Sequence, residues 1–323
     1  MKKILLISLV AGAIIAGFIV IKMQKKDNVA SEYTIGILQT ASHPALDASR
    51  EGFIEELQKN MGTKIDFVVK NAQGSIPQAH AIAQQFHANK KYNGFFVIAT
   101  PAAQAMSAVE KERPIFIAAV TDPGALGLIN PTTNVCGTKD MIDVKSEIAM
   151  LTQLVPNAQT IGLIYTSGET NSLILIKQMH AELEAKGLKY IDFAVSNEAD
   201  MQATVESACR KADAILTPTD NTVASTISLI SATALKYKKP LIVSDNMLVK
   251  YGQLASRGVD YKACGKQTAK IAQQVLVENK KPYELPIEQA ESQQVYINKK
   301  TLNALELNIP EALSGNVILV EDK

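Results

Sequence analysis

Small polar and acidic side chains follow the predicted strands, at the points where each strand gives way to a helix or a turn. In the first half of the chain these candidate ligand-binding residues are Ser42, His43, Thr100, Asp122 and Asp140. In the second half they are Tyr165, Glu169, Asn171, Ser172, Asp220, Asn221 and Asp245. Hydroxyl groups and the free N–H groups at helix starts can hold a carboxylate, and Asp or Glu can hold an ammonium group. The set therefore favours a site for a zwitterion such as an amino acid.

Most of these residues also have a plain structural interpretation. Ser, Thr, Asp and Asn are preferred at helix N-caps, and Asp122-Pro123-Gly124 is a turn signal. His43 could be a catalytic base, but it has no paired nucleophile motif, which favours a cap or a hydrogen bond to a ligand. Tyr165 could stack on a ligand or pack in the core. The ligand-binding interpretation depends on the whole set lying at strand ends, where open parallel sheets bind ligands.

The composition argues against several classes of function. The 323 residues include 33 Lys and Arg against 32 Asp and Glu, so the net charge of +1 leaves no cationic excess for nucleic-acid phosphates. Aromatic residues make up 5% with no Trp, which argues against a stacking platform for single strands. No dinucleotide-binding glycine pattern, phosphate-binding loop, nucleophile elbow or zinc-protease motif occurs. The sequence therefore favours a binding protein, with no cofactor, metal or catalytic residue, over an enzyme.

From Tyr33 onwards, short β-rich runs alternate with helical patterns. The predicted strands are residues 33–38, 64–69, 94–99, 114–120, 135–138, 160–165, 190–195, 214–217, 241–244 and 253–256. Continuous apolar strands that alternate with helices are typical of parallel sheets covered on both faces. The length of 323 residues is about twice that expected of one domain, which predicts two such sheets.

A long internal repeat supports the division into two lobes. With a shift of 126 positions, Thr34-Ile35-Gly36-Ile37-Leu38 falls on Thr160-Ile161-Gly162-Leu163-Ile164. With the same shift Ile65-Asp66-Phe67 falls on Ile191-Asp192-Phe193, and Pro114-Ile115-Phe116 on Pro240-Leu241-Ile242. A repeat of this length is too long for a solenoid unit and indicates two similarly folded lobes.

The N-terminal segment stands apart from this globular region. Residues 4–21 contain no charged side chain and are followed by Lys22, Lys25 and Lys26. An apolar run of 18 residues is at the lower limit for crossing a bilayer, which predicts a signal sequence or an uncleaved signal-anchor helix within residues 1–31. No Cys follows the run, as a lipoprotein signal would require, so an anchor is slightly favoured over release into the periplasm.

Several segments resemble one known family. Tyr33-Thr34-Ile35-Gly36-Ile37-Leu38-Gln39, Arg50-Glu51-Gly52-Phe53 and Ala99-Thr100-Pro101-Ala102-Ala103-Gln104 are similar to segments of ABC-transporter substrate-binding proteins of the tryptophan/tyrosine type. So are Gly168-Glu169-Thr170-Asn171-Ser172, Thr219-Asp220-Asn221 and Gly258-Val259-Asp260-Tyr261. The resemblance implies a type I periplasmic-binding-protein fold, an α/β architecture of two Rossmann-like lobes with parallel sheets and a hinge. Lobe 1 is expected over residues 32–138 and 259–281, and lobe 2 over residues 139–258 and 282–323.

The same resemblance implies the extracytoplasmic component of an ABC importer. Such a protein closes around a small amino-acid-like ligand and delivers it to a membrane permease with a cytoplasmic ATPase. Because Asp245 directly follows the predicted strand 241–244, it is the first choice for the ligand's ammonium group, with Asp220 second and Asp122 third. Ser42, Thr100 or Ser172 would hold the carboxylate. Two alternatives stay open, a membrane-anchored ligand sensor and a Rossmann-like enzyme acting on a nucleotide or a sugar.

Overall fold

The chain folds into two α/β lobes. The computed structural model describes residues 31–290, 294–315 and 317–322. The predicted signal or anchor helix over residues 4–21 lies outside these residues. Within the described ranges, no helix is both long enough and apolar enough to cross a membrane.

The strands form two separate sheets. In chain order the described strands are β1 (Tyr33–Gln39), β2 (Ile65–Asn71), β3 (Gly94–Ile98), β4 (Ile115–Val120), β5 (Val135–Lys139), β6 (Thr160–Thr166), β7 (Lys189–Val195), β8 (Ala214–Thr217), β9 (Leu241–Val243), β10 (Ala255–Ser256), β11 (Ile287–Gln289), β12 (Val295–Asn298) and β13 (Val317–Val320). One sheet has the order β11-β5-β4-β3-β1-β2 and the other β13-β12-β10-β9-β8-β6-β7. The order β5-β4-β3-β1-β2 therefore recurs as β10-β9-β8-β6-β7, as the internal repeat predicts. The described pairings are parallel except that of β10 with β12, which confirms the predicted α/β class.

Helices connect the strands and cover the sheets. In chain order the described helices are α1 (Pro44–Met61), α2 (Ile76–Ala88), α3 (Thr100–Val109), α4 (Val144–Leu154), α5 (Thr170–Ala185), α6 (Met201–Lys211), α7 (Asn221–Ser225), α8 (Ile227–Lys236), α9 (Tyr261–Leu276), α10 (Lys299–Ala304) and α11 (Glu311–Ser314), with 3-10 turns at Gly62–Lys64, Glu198–Asp200, Asn246–Tyr251 and Pro282–Glu284. Proline lies in the first turn of α1, α2 and α3, where its missing N–H costs no helical hydrogen bond. Apolar side chains of the helices pack on the buried strands, as where Phe53 of α1 stacks on Phe96 of β3 with ring centroids 3.8 Å apart.

The chain passes between the lobes three times. It leaves the first sheet after β5, returns between β10 and α9, and leaves again between β11 and β12. Helix α9 belongs to the first lobe because it packs on α1, where Gly52 and Gly265 bring the two helix backbones into close contact. Ile287 of β11 pairs with Gly137 of β5 in the first sheet. Residues 287–289 therefore belong to the first lobe, and the last crossing lies beyond Gln289, whereas the sequence placed it at residue 282.

Candidate ligand-binding site

The carboxyl ends of strands from both sheets meet at a buried cavity between the lobes. Six of the candidate residues line it, namely His43, Asp140, Asn171, Asp220, Asn221 and Asp245. The wall also contains the polar residues Thr121, Thr219, Ser244 and Tyr261, and apolar residues that include Leu46, Val223, Val243 and Leu248. The cavity has a volume of about 30 Å³, room for a water molecule or two. The lobes therefore stand close together in this structure.

Glu169 lies behind the cavity wall and orients two asparagine side chains. Its Oε2 atom accepts hydrogen bonds from the backbone N–H and the Nδ2 of Asn221, at 3.1 and 2.6 Å, and from the Nδ2 of Asn171 at 3.0 Å. Burial and the nearby Asp220 charge raise the pKa of the Glu169 carboxyl to about 7. Its contacts thus hold Asn171 and Asn221 in fixed positions at the wall.

The carboxylate of Asp220 is occupied by groups of its own lobe. It accepts from the backbone N–H and the Oγ1 of Thr166 at 2.6 and 2.8 Å, and from the Ser172 hydroxyl at 2.7 Å. It also caps α7 by accepting from the Val223 N–H at 2.9 Å. Four hydrogen bonds use most of the capacity of its two oxygens. Asp220 and Ser172 therefore organise the wall more than they offer free atoms to a ligand.

Asp140 and Asp245 have more capacity for a ligand. The Oδ2 atom of Asp140 accepts from the Tyr261 hydroxyl at 2.8 Å, while its buried Oδ1 has no hydrogen-bond partner among the described residues. The Oδ1 atom of Asp245 accepts from the Met247 N–H at 2.9 Å. Burial raises the pKa of both carboxyls, and that of Asp245 reaches about 7 because the Asp140 charge adds to the effect of burial. Two acidic groups thus share a cavity that lacks a countercharge.

His43 connects the lobes across the cavity. Its Nε2 atom lies 3.3 Å from the Oδ1 of Asn221, and the residue is only 7% exposed. Burial lowers the pKa of its imidazole to about 4. It occupies the N-cap position of α1, but its side chain makes no capping hydrogen bond. A second contact between the lobes joins Gln104 Nε2 to Thr170 Oγ1 at 3.3 Å.

Besides Glu169 and Ser172, four of the predicted site residues lie away from the cavity wall. Ser42 is exposed and donates to the Asp47 carboxylate, and Asp122 accepts from the Ala125 N–H at 2.9 Å within its own turn. Thr100 is buried with its hydroxyl 3.5 Å from the Thr121 N–H. Tyr165 packs half-buried against the core of the second lobe. Ser42, Thr100 and Ser172, the expected carboxylate ligands, are therefore absent from the wall of the described cavity.

The wall also contains residues that sequence reasoning did not select. Tyr261 belongs to the motif that resembles the family, but its contact with Asp140 depends on the return of α9 to the first lobe. Ala99 and Ala119 adopt φ angles of 77° and 56°, which are strained for residues other than glycine. Such strain clusters at ligand sites, and no local sequence pattern signals it. The small alanine side chains leave room at the strand ends.

The charged groups of the wall are all acidic. Asp140, Asp220 and Asp245 line the described cavity without any lysine or arginine, and burial keeps His43 neutral. Among the described residues, no group of three or more His, Cys, Asp or Glu side chains is arranged to hold a metal ion. A cavity of this kind favours a positively charged organic group, and its leucine, valine and alanine side chains favour an apolar remainder.

Two Rossmann-like lobes, three crossings and a cavity between the strand ends define a protein of the type I periplasmic-binding-protein fold. The family model described as "ABC transporter substrate binding protein" matches residues 34–318. The chain therefore belongs to this family of substrate-binding proteins and is not an enzyme. Proteins of this family are extracytoplasmic.

One related protein and two solved structures are similar to this chain over most of its length. A tyrosine-binding protein of Clostridioides difficile is 33% identical over 292 residues, which cover 88% of this chain and 84% of the relative. The structure of an ABC domain from Streptococcus pneumoniae in complex with L-Trp has a TM-score of 0.85 at 32% identity, covering 90% of this chain and 100% of the other. The ligand-free, open structure of a substrate-binding protein with adhesive properties from Clostridium difficile has a TM-score of 0.67 at 34% identity, with the same coverage.

Proposed function

We propose that this protein binds an aromatic amino acid between its lobes and delivers it to the permease of an ABC importer. The observation that carries the proposal is the pair of buried acids, Asp140 and Asp245, in a cavity lined by unpartnered acceptor atoms. An ammonium group supplies both the missing positive charge and the missing N–H donors. Two relatives support the choice of an aromatic amino acid, since one is named for tyrosine and the other was crystallised with L-Trp.

The two acids come from different lobes. Asp140 follows β5 of the first sheet, and Asp245 follows β9 of the second. When the lobes close, both carboxylates lose water, and an unpaired buried charge costs several kcal/mol. An ammonium group between them removes this cost, so the ligand stabilises the closed form by its preference for that form. The apolar side chains of Leu46, Val223 and Leu248 would contact the side chain of the ligand.

The comparisons support a mechanism in which the lobes open and close. The two structures that were compared are about equally related to this chain, yet the L-Trp complex superimposes with a TM-score of 0.85 and the ligand-free open structure with 0.67. A different angle between lobes of the same fold accounts for such a difference. The higher similarity to the L-Trp complex supports a closed arrangement for this chain, whose cavity of about 30 Å³ is smaller than the roughly 300–1,000 Å³ of small-molecule sites. The ligand would enter an open form, and the cavity of the closed complex would be wider than the ligand-free cavity described above.

Titration calorimetry with L-tryptophan, L-tyrosine and L-leucine tests the ligand. We expect at least one aromatic amino acid to bind with a Kd of about 1 μM or tighter, near −8 kcal/mol, and L-leucine to bind more weakly. Small-angle scattering on the same samples should give a smaller radius of gyration after ligand is added. Absence of binding by both aromatic amino acids, in protein that melts cooperatively, would contradict the proposal.

The same proposal places the protein on the outer face of the cytoplasmic membrane or in the periplasm. Residues 4–21 would direct export and, if uncleaved, anchor the chain with its Lys2 and Lys3 on the cytoplasmic side. N-terminal sequencing of the mature protein distinguishes an anchored chain from one cleaved near Ala30. Purification from crosslinked membranes should recover a permease and an ATPase, whereas recovery of a signalling protein instead would indicate a sensor.

A further inference from the structure

The Asn221 side chain has one possible orientation at the cavity. Its Nδ2 donates to the Oε2 of Glu169 at 2.6 Å, and the same oxygen accepts from the Asn221 backbone N–H at 3.1 Å. Since the backbone N–H can only donate, Oε2 acts as an acceptor there, and the Asn221 amide presents its nitrogen to this oxygen. The Oδ1 atom of the amide is thereby turned across the cavity towards His43, 3.3 Å from its Nε2. This oxygen can only accept a hydrogen bond.

The orientation of Asn221 determines where the imidazole carries its proton. Since Asn221 offers only an acceptor, the Nε2 of His43 must be the nitrogen that bears the hydrogen. Burial also lowers the pKa of this imidazole to about 4, so the ring is neutral near pH 7. In a neutral imidazole with hydrogen on Nε2, the Nδ1 atom holds a lone pair and is an acceptor.

The Nδ1 atom of His43 lacks the donor that such an acceptor requires. It is buried without a hydrogen-bond partner among the described residues, and His43 lines the cavity. Buried polar atoms in native proteins nearly always have a partner, so an unpaired one at a binding site points to a ligand atom. Asp140 Oδ1 and Asn171 Oδ1 are two further unpartnered acceptors on residues of the same wall. The Thr219 hydroxyl of the wall is also unpartnered, so the cavity offers enough acceptors for the three N–H donors of an ammonium group.

We infer that the Nδ1 of His43 accepts an N–H of the ligand's ammonium group, and that Glu169 and Asn221 are positioning residues that fix the required tautomer. This inference rests on the proposed function, because it assumes a ligand with an ammonium group. The site would then contain the neutral His43 in addition to Asp140 and Asp245. The Nε2 of His43 contacts Asn221 on the opposite lobe, and its Nδ1 would contact the ligand. The Nε2 contact and the Nδ1 contact form together only when the lobes are closed around the ligand.

Nitrogen NMR reads the tautomer directly. The chain has four histidines, and the spectrum of His43→Asn assigns the His43 signals by their loss. With saturating L-tryptophan or L-tyrosine, we expect a protonated Nε2, an unprotonated Nδ1, and an upfield shift of Nδ1 when ligand is added. A protonated Nδ1 in the complex, or an Nδ1 signal that the ligand does not move, would overturn the inference while the proposed function still stood.

Two substitutions separate the roles of the two nitrogens. The amide of His43→Asn reaches the place of Nδ1 and keeps an acceptor for the ligand, whereas that of His43→Gln reaches the place of Nε2 and keeps only the donor to Asn221. We expect His43→Gln to weaken binding of L-tryptophan or L-tyrosine about 5- to 100-fold, and His43→Asn to weaken it less. The reverse order, or wild-type affinity for His43→Gln, overturns the inference.

Glu169→Gln tests the positioning role. The amide can turn its nitrogen towards Asn221, which weakens the selection of one tautomer. We expect the His43 signals of its complex to show a mixture of tautomers, which a purely structural role of Glu169 would not produce. If wild-type protein binds neither aromatic amino acid, the proposed function fails, and the same His43 measurements are made on whichever of the other standard amino acids binds. If none of them binds, the inference fails as well.

Discussion

The Tyr261 hydroxyl donates a hydrogen bond to the Oδ2 of Asp140 over 2.8 Å, and so joins two of the three crossings at the cavity between the lobes. Asp140 lies where the chain leaves the first sheet, and Tyr261 begins the helix that returns to the first lobe. Both residues stay with that lobe when the cleft opens. Asp245 lies on the other lobe, and its pKa is raised partly by the Asp140 charge. Closure without a ligand therefore brings two like charges together.

Tyr261→Phe should weaken both the fold and the site. The change leaves the buried Asp140 with one hydrogen bond fewer, and a bond to a charged group contributes about 1.5–3 kcal/mol. We expect the free energy of unfolding in urea to fall by an amount in this range, together with a loss of affinity for L-tryptophan or L-tyrosine. Tyr283→Phe is the matched control, since Tyr283 is exposed and should change neither quantity. Equal results for the two variants would contradict a role for the Asp140 contact.

Asp245→Asn should weaken ligand binding without unfolding the protein. The asparagine keeps the size of the side chain and an acceptor for the Met247 N–H, but removes the charge. We expect a loss of about 2–4 kcal/mol in binding free energy, measured by calorimetry. Asp122→Asn is the control, because Asp122 lies off the cavity wall in a turn and its contact with the Ala125 N–H survives the change. Unchanged affinity of Asp245→Asn would place the ammonium group elsewhere.

The ligand-free protein should close more readily in acid. In the closed form, burial raises the pKa of Asp245 from 3.8 to about 7, and raises that of Asp140 in the same direction. Because the closed form binds the extra protons, the contribution of the two carboxyls to its stability is full below about pH 3.8 and is lost as pH rises through about 7. The buried His43 acts in the opposite direction, since its pKa falls from 6.5 to about 4 on closure, and two carboxyls outweigh one imidazole. Small-angle scattering should therefore find a smaller radius of gyration at pH 5 than at pH 8. Asp245→Asn should reduce this difference, and saturating ligand should remove it.

The sequence allowed residues of the cavity wall to be selected more reliably than their individual contacts. His43, Asp140 and Asp245 could be selected because apolar strands end directly before the loops that carry them, and the ends of parallel strands meet at one edge. The contact of Tyr261 with Asp140 could not be predicted, since it joins residues 121 positions apart through the packing of α9 on α1. Ser42 and Asp122 have the right residue types, but their side chains bond within their own turns.

The internal repeat predicted the order of the strands but not every register. Gly36 lies opposite Val68 in the first lobe, and Gly162 lies opposite Ile191 in the second. The second strand is therefore shifted by three residues relative to the match of Ile65 with Ile191. Both β2 and β7 are edge strands with several exposed side chains, so that little burial fixes their register. The central match of Pro114 with Pro240 agrees with the structure, since Ile115 and Leu241 occupy equivalent pairings.

Glu147→Gln should make the protein less sensitive to alkaline pH. Glu147 is buried in α4, accepts from the Ser244 hydroxyl at 3.0 Å, and has its pKa raised by burial from 4.5 to about 8. The folded state thus holds a proton that the unfolded chain releases, so this contribution to stability is full below about pH 4.5 and is lost as pH rises through 8. We expect the Tm of the wild type to fall between pH 6 and 9 by about 3 °C or more relative to Glu147→Gln. The exposed control Glu51→Gln should follow the wild type.

Gly258→Ala should displace Asp245 from its position at the cavity. A Cβ atom at residue 258 would lie 2.5 Å from the Ser244 carbonyl oxygen and 2.8 Å from both the Asn246 N and the Asp245 Cα. These are backbone atoms that no rotamer change can move aside, so the second crossing or the segment around Asp245 must shift. We expect at least a tenfold loss of affinity for L-tryptophan or L-tyrosine, about 1.4 kcal/mol, because misplaced carboxylates pair poorly with an ammonium group. Gly168→Ala is the control, since a Cβ atom there meets nothing within 4 Å. If both variants bound the ligand like the wild type, the close approach of Gly258 to Asp245 would have no part in positioning the acid.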